Sequence, residues 1–200
     1  EIDTQIINLD SSKWILKEFE EVQKKYFENI EKYQFHEIAS LLYHFTWHTY
    51  CDWYIEFIKS DLKDSAKSEE TKKVSGWVFI QTLKLLHPIM PFITEKLWLS
   101  LVDQNTFLMS QEFNKINFDK SYDESKKYIL KIIQVMTALR NLRADLNISY
   151  KNEIDLIIDT KNDYLKKFIF NYEKEFKRLI KTNSISYEEN TTQKKSAFIV

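Results

Sequence analysis

Apolar side chains near the beginning of the chain recur at steps of three and four residues. This spacing predicts an amphipathic helix, which begins after the capping residues of the segment 10–12, Asp-Ser-Ser. Its apolar stripe consists of Ile15, Phe19, Val22, Tyr26, Ile30 and Tyr33. The next run, from Phe35 to Leu62, is apolar over most of its circumference, which predicts a long helix buried at the centre of the fold.

Three more helices follow a polar connection at residues 63–73. Pro88 ends the third helix, and Pro91 suits the first turn of the fourth. Gly76, the only glycine, predicts a close contact between helices. Residues 102–120 have no clean period, so we expect a loop with a short strand at 106–109. The stripes of the third and fifth helices are Val74, Val78, Leu83 and Leu86, then Ile132, Val135, Leu139, Leu142 and Leu146.

The pattern changes after Tyr150. Strands are predicted at 153–158, 184–188 and 196–200, with a helix at 163–181. The predicted fold class is therefore mainly α: a bundle of about five helices in a first domain, residues 1–150, and a small, incomplete α/β subdomain at 151–200. The strand-like end of the sequence suggests a piece of a longer protein.

Composition narrows the class of protein. One glycine and two prolines exclude collagen-like and turn-rich all-β chains and favour long helices. The single cysteine, Cys51, allows no disulfide framework within the chain and fits a reducing, cytoplasmic location. No apolar stretch reaches the ~20 residues that a membrane-spanning helix needs. The net charge of −1 does not by itself indicate a nucleic-acid partner.

Three sequence blocks carry a resemblance to a known family. They are FHEIASLLYHFTWHTYCDWYIEFIK (35–59), LLHPIMPFITEKLW (85–98) and TALRNLRADLNIS (137–149). In this order and spacing they resemble the anticodon-binding helical domain of valyl-tRNA synthetases, and the CDWYIE and HPIMPFITEKLW blocks favour the valyl over the isoleucyl and leucyl branches. The resemblance spans roughly residues 11–150.

The resemblance implies a role in binding RNA and not in chemistry. The implied partners are the anticodon stem-loop of tRNA(Val) and the other domains of the same synthetase, in a monomeric protein. The full-length enzyme would charge this tRNA with valine, using ATP and magnesium, whereas no cofactor is expected in this chain. The chain has no glycine-rich phosphate loop and no HIGH or KMSKS motif, so we expect no catalytic residue here.

The chain departs from the family pattern in three places. The first helix of the family's bundle, which contributes anticodon contacts, would precede residue 1 and is missing from this chain. The family's tryptophan-proline loop is replaced by the segment 107–113, and its C-terminal coiled-coil arm is absent. We therefore expect weak binding of tRNA. The alternatives are an interaction or structural bundle without an RNA role, and the same domain of an isoleucyl-type synthetase.

The predicted second helix carries polar residues four apart. His44, His48 and Asp52 project from one side of it, a spacing that metal ligands can adopt. Phe45 replaces the glutamate of an HExxH site, and we predict no metal site. The histidines are either structural or contact RNA, and Trp47 is a candidate for stacking on a base. The other tryptophans, Trp14, Trp53, Trp77 and Trp98, fit core positions.

Arginine is rare in this chain, which has 26 lysines and three arginines. In a chain that otherwise uses lysine, the arginines at Arg140 and Arg143 indicate positions where a planar, bidentate hydrogen-bond donor is required. Because a buried carboxylate needs a partner, we predict an ion pair of Asp52 with Arg140 or Arg143, which leaves the other arginine for RNA.

A row of cations lies opposite the apolar face of the predicted helix at 163–181. It is either a solvated face or a set of phosphate contacts. Its members are Lys167, Lys174, Arg178 and Lys181.

Overall fold

The chain folds into helices followed by a small sheet with two helices of its own. A computed structural model describes residue 2, residues 4–159 and residues 162–187. The helices are α1 (Asp10–Glu31), α2 (Phe35–Tyr43), α3 (Ile55–Asp61), α4 (Ser68–Leu86), α5 (Pro91–Leu101), α6 (Tyr122–Asp145), α7 (Asp163–Asn171) and α8 (Glu173–Ile180). A π-helix, His44–Tyr54, joins α2 to α3, and the strands are β1 (Ile154–Ile158) and β2 (Thr182–Tyr187). The predicted fold class is confirmed.

The chain divides into two compact units, unit 1 at Glu1–Lys126 and unit 2 at Lys127–Val200. These compact units do not test the predicted division into two domains at residue 150, which stays a prediction. In the described part of the chain, none of the helices combines the length and the apolar character needed to cross a bilayer.

The core of unit 1 is aromatic and is organised around α1. The Phe19 ring meets Phe45 at 5.6 Å and Trp77 at 5.7 Å between centroids, both edge to face. Trp14 packs against Phe57 in the same way, at 5.9 Å. Such edge-to-face pairs add to the free energy of burying each ring. Helix α1 therefore contacts the α2–α3 segment and α4 at once.

The predicted stripe of α1 is confirmed at its first four positions and wrong at its end. Ile15, Phe19, Val22 and Tyr26 are buried. Ile30 is 37% exposed and Tyr33 is 80% exposed. Tyr33 lies beyond the helix, with a φ of 55°, so its side chain leaves the direction of the stripe.

The long helix predicted at 35–62 is a helix throughout, but its character differs from the prediction. Its middle, His44–Tyr54, has the i→i+5 hydrogen bonds of a π-helix, a form that is rare and occurs frequently at functional sites. It is also not a central buried helix, because Phe35, Tyr43 and Trp47 are each more than half exposed. Only one side of this helix packs on α1.

Polar contacts connect α4 to the start of α1 and to the π-helix. The carboxylate of Glu70, on α4, accepts hydrogen bonds from the backbone N–H groups of Asn8 (3.1 Å) and Leu9 (2.9 Å), just before α1. Burial, followed by the charge of Cys51, raises the pKa of Tyr50 to about 12. Its hydroxyl therefore keeps its hydrogen and donates to the carbonyl of Ser75 on α4, at 3.2 Å.

Two predictions for the region between α4 and α6 are wrong. A Cβ on Gly76 would meet nothing within 4 Å, so this glycine is not a site of close helix contact. Residues Leu108–Ser110 form a 3-10 turn and not a strand. This turn is held against α5 by the bond from the backbone N–H of Leu108 to Glu95 Oε1, 2.9 Å.

Unit 2 contains a parallel pair of strands connected by α7 and α8. Ile154 pairs with Thr182 and Ile158 with Tyr187, with an irregular register in between. The helix predicted at 163–181 is interrupted at Tyr172, where α7 ends and α8 follows. The strand predicted at 184–188 corresponds to β2, whereas the one predicted at 196–200 lies outside the described residues.

Candidate nucleic-acid interface

The end of α2 and the exposed side of the π-helix carry a group of aromatic side chains, which we call the aromatic ridge: Tyr43, His44, Trp47 and His48. Tyr43 is 62% and Trp47 is 56% exposed. The neighbouring side chain Phe45 points into the core against Phe19. Burial of Phe45 on one side of the helix leaves the ridge on the other, so its aromatic surface is free for a planar ligand.

Three rings of the ridge, those of Tyr43, His44 and His48, lie close together. The centroids of His44 and His48 are 4.8 Å apart. The rings of Tyr43 and His48 meet edge to face at 5.9 Å. Unpaired bases stack on aromatic side chains of this kind, whereas paired bases are hidden inside a helix. The geometry of the ridge therefore suits single-stranded RNA.

Asp52 lies beside the ridge and not in the core. Its carboxylate oxygen Oδ2 is 3.2 Å from Nδ1 of His48, and the two side chains are 48% and 47% exposed. The expectation that Asp52 is a buried carboxylate is wrong. Because Asp52 belongs to unit 1 and both arginines to unit 2, its pairing with Arg140 or Arg143 stays a prediction, without the burial that motivated it.

The His44, His48 and Asp52 spacing raised the question of a metal ion. Across residues 4–159 and 162–187, no three His, Cys, Asp or Glu side chains are grouped so that they could hold one. His48 instead has a hydrogen-bonding partner in Asp52, which orients its ring.

A groove runs between α1 and α2 next to the ridge. It has a volume of about 360 Å³ and is lined by Lys25, Glu28, Asn29, Glu37, Ser40, Leu41 and His44. A smaller pocket of about 170 Å³ adjoins it, with Glu18 and Glu21 in its wall. The two glutamates of the smaller pocket are paired with Lys126, at 3.3 and 2.7 Å. The groove itself has two glutamates against one lysine, and this excess of carboxylate disfavours a phosphate there. Any RNA backbone that passes the ridge is therefore expected to avoid the groove.

Arg143 is the buried arginine, with 6% exposure. Its Nη1 donates to the carbonyl of Ile180 at 3.1 Å, and its Nη2 donates to the carbonyls of Ser149 and Asn152, both at 2.7 Å. These bonds join the end of α6 to the turn before β1 and to the end of α8. The planar fork is needed here for three carbonyl groups of unit 2, and little of it is left exposed for RNA.

The remaining cations differ in their surroundings. Lys167 on α7 and Lys174 on α8 are exposed. Arg140 is exposed and Arg178 half-buried, and both also interact with other groups of the chain. Lys181 has a left-handed φ of 59°, and its Nζ lies 6.0 Å from the centre of the Tyr150 ring. The break at Tyr172 distributes the predicted row over two helices.

Two residues of the candidate interface were not predicted from the sequence. Tyr43 lies four residues before Trp47, a spacing that could have identified it as a neighbour on the same helix face. Lys25 lines the groove with His44, but it belongs to α1, and no local pattern relates two residues on different helices. The tryptophans lie closer to their predicted core positions. Trp14 and Trp98 are buried, as predicted, and Trp53 and Trp77 are half-buried.

Comparison with known proteins gives a family match and several relatives. Residues 12–158 match the family described as the anticodon-binding domain of tRNA ligase. Over 160 residues the chain is 39% identical to the valine–tRNA ligase of Pelagibacter ubique, which covers 78% of this chain and 18% of that protein. The valine–tRNA ligase of Lactiplantibacillus plantarum is 36% identical with the same coverage. That of Staphylococcus saprophyticus is 30% identical over 80% of this chain and 19% of that protein. The chain thus spans about a fifth of the length of these relatives.

Proposed function

The chain belongs to the family of anticodon-binding domains of tRNA ligases, and we propose that it is the part of a valine–tRNA ligase that binds the anticodon stem-loop of tRNA(Val). The family match over residues 12–158 carries this proposal. The three relatives described above are all named for valine, which supports the valyl over the isoleucyl alternative. The match itself disfavours a bundle without an RNA role.

Base contacts are assigned to the aromatic ridge. A base from the anticodon loop would stack on Trp47, whose ring is more than half exposed, with Tyr43 and the two histidines as neighbouring surfaces. The charge of the adjoining groove supports this division of roles. Stacking requires no positive charge, and the groove offers little.

Phosphate contacts are assigned to cations of unit 2. Lys167 and Lys174 are exposed, and their ammonium groups can neutralise backbone phosphates. Arg140, Arg178 and Lys181 are further candidates, each with an interaction inside the chain as well. The buried Arg143 serves the fold of unit 2, and we give it an indirect role only.

The chemistry of charging is assigned to the rest of the enzyme. We propose that the full-length protein joins valine to its tRNA with ATP and magnesium, at a site outside this chain, because neither nucleotide-binding motif of class I synthetases occurs in it. No step of that reaction is assigned to residues of this chain. A cytoplasmic, monomeric enzyme is part of the same proposal.

A salt titration of binding tests the proposal. Labelled tRNA(Val) is titrated with the chain at low ionic strength, and unlabelled tRNA(Val) competes against a tRNA with another anticodon. We expect an affinity in the range of non-specific nucleic-acid binding, ~10⁻⁴–10⁻⁶ M, that falls steeply with salt, and better competition by tRNA(Val). Equal competition by both tRNAs, or binding that salt does not weaken, would contradict recognition of the anticodon.

The ridge is tested by substitutions at Trp47. Trp47→Ala should weaken binding by about 5- to 150-fold if one base stacks on the ring, since such a stack contributes ~1–3 kcal/mol. Trp47→Phe should restore most of the affinity, because it keeps an aromatic face. Phe92→Ala is the matched control, since Phe92 is also an exposed aromatic residue of unit 1. Similar losses at Trp47 and Phe92 would argue against the ridge as the base-contacting surface.

A further inference from the structure

In the turn from α4 to α5, polar side chains point inward and apolar side chains face solvent, which is the reverse of the usual arrangement. Thr94 is 1% exposed, and the side chains of His87 and Glu95 are 17% and 22% exposed. The apolar residues between them face solvent instead: Ile89 and Met90 are each 44% exposed, Phe92 is 91% exposed and Ile93 is 50% exposed. A folded chain ordinarily gains free energy by burying such side chains, so their exposure requires an explanation.

Hydrogen bonds hold this arrangement in place. The Thr94 hydroxyl donates to the carbonyl of Met90 at 2.8 Å and lies 2.8 Å from Nδ1 of His87. Glu95 contacts His87 through Oε2, at 3.8 Å from Nε2, and accepts the backbone N–H of Leu108 through Oε1. The inward polar groups thus satisfy one another and the backbone, and the apolar side chains are displayed by a defined frame.

The 3-10 turn, which is bonded to α5, carries two more exposed apolar side chains. Leu108 is buried against α5, with Trp98 in the same cluster. Its neighbours on either side, Phe107 and Met109, are 59% and 76% exposed. We call the combined surface the apolar corner, and it consists of Ile89, Met90, Phe92, Ile93, Phe107 and Met109. Residues 88–93 carry no charge.

We propose that the apolar corner is the docking surface for another domain of the same synthetase chain. This inference rests on the proposed function, because the match covers only 18% of the length of these relatives. Exposed apolar patches mark interaction sites, and four of the six side chains lie within the segment 89–93. That segment is uncharged, which suits an apolar partner surface and not RNA phosphates.

The size of the corner favours a partner on the same chain over a second copy of it. A stable interface between separate proteins contains about 20–30 residues a side, and the corner has six. A covalently connected domain, in contrast, is present at an effective concentration in the millimolar range. A small apolar contact is then sufficient for docking, because the free-energy cost of bringing two separate molecules together does not arise.

Cysteine labelling compares the isolated chain with the full-length enzyme. Phe92→Cys is introduced into both in a Cys51→Ser background, and alkylation at position 92 is followed by peptide mass spectrometry. Glu69→Cys is the control, since the Glu69 side chain is 81% exposed and lies at the opposite end of α4. A docked domain should slow alkylation at position 92 by about tenfold or more in the full-length enzyme, with the control unchanged.

Three results would overturn the proposal. Equal alkylation of Phe92→Cys in both proteins would show that no domain of the full-length enzyme covers the corner. Protection in the isolated chain that grows with protein concentration would assign the corner to a second copy, and protection that appears only with added tRNA would assign it to RNA. The tRNA affinity of the same Phe92→Cys chain is measured in parallel. Docking can then fail while tRNA binding persists, or the reverse, so the two proposals are tested separately.

Discussion

Two polar residues with similar sequence surroundings have opposite positions in the two units. Asp52 and Arg143 both lie on helices among apolar residues, and Arg143 was one of the two partners predicted for a buried Asp52. Arg143 is buried in unit 2 and donates to three carbonyl groups. Asp52 is half exposed in unit 1 and contacts His48, one turn away on the same helix. The first contact joins three distant segments, and the second lies within one.

The contribution of a polar contact to the free energy of unfolding therefore depends on how deeply the contact is buried. A buried donor or acceptor left without a partner loses its hydration, whereas an exposed one returns to water. The same contrast occurs again within each unit. Thr94 of unit 1 is buried and holds the α4–α5 turn. Asp155 of unit 2 is exposed and joins β1 to β2. If burial decides, unfolding free energies will rank by exposure and not by unit.

Arg143→Ala should have the largest effect. It leaves three carbonyl groups without their charged donor, and we expect a loss of unfolding free energy on the order of 3 kcal/mol. All five tryptophans lie between residues 14 and 98, in unit 1. The loss should therefore appear as an earlier urea transition by circular dichroism, with less change in tryptophan fluorescence.

Arg143→Lys is the matched control for charge. A lysine keeps the charge but has no planar fork, so it should recover only part of the lost stability. Full recovery would mean that the charge, and not the three-carbonyl geometry, accounts for this arginine.

Thr94→Val extends the comparison to a buried group of unit 1. Valine keeps the shape of threonine and removes the hydroxyl that donates to the Met90 carbonyl. We expect a loss of about 1–2 kcal/mol, visible in the tryptophan fluorescence transition. Thr94→Ser keeps the hydroxyl and should cost less than valine. The opposite order would show that packing outweighs the hydrogen bond.

Asp52→Asn should have a small effect. Its contact with His48 is exposed, and exposed pairs contribute ~0–1 kcal/mol. The urea midpoint should hardly move, and the remaining difference should shrink with added salt, because salt screens exposed charges. A loss as large as that of Arg143→Ala would break the comparison and restore a buried partner for Asp52.

Asp155 provides the smallest effect, through pH. Hydrogen bonds from the Ser184 hydroxyl and the Asn183 amide lower the pKa of its carboxyl group. The folded pKa lies below the ordinary value of ~3.9, so the charged form is favoured by folding. Its contribution is present at neutral pH and is lost as the pH falls below about 4. The midpoint difference between the native chain and Asp155→Asn should therefore vanish in acid, and a difference that grows there would have the wrong sign.

Local patterns predicted the elements of this fold well. The stripe through Ile15 and Phe19 predicted α1, and Pro88 with Pro91 predicted the break between α4 and α5, because helix periodicity and proline geometry act within a few residues. For the candidate interface, the sequence identified Trp47 as a candidate for base stacking but missed Tyr43 and Lys25. Lys25 lines the same groove as His44 only because two helices pack together, and no local pattern contains that packing.

The amino-acid pattern was sufficient to predict most of the helices, the apolar side of α1 and the family that the chain resembles. The burial of Arg143, the exposure of Asp52 and the exposure of Phe92 beside a buried Thr94 became visible only in the folded chain. The physical reason is that helix formation depends on neighbours in sequence. The burial of a polar or apolar side chain depends on what distant segments bring against it, and that is settled only when the helices pack.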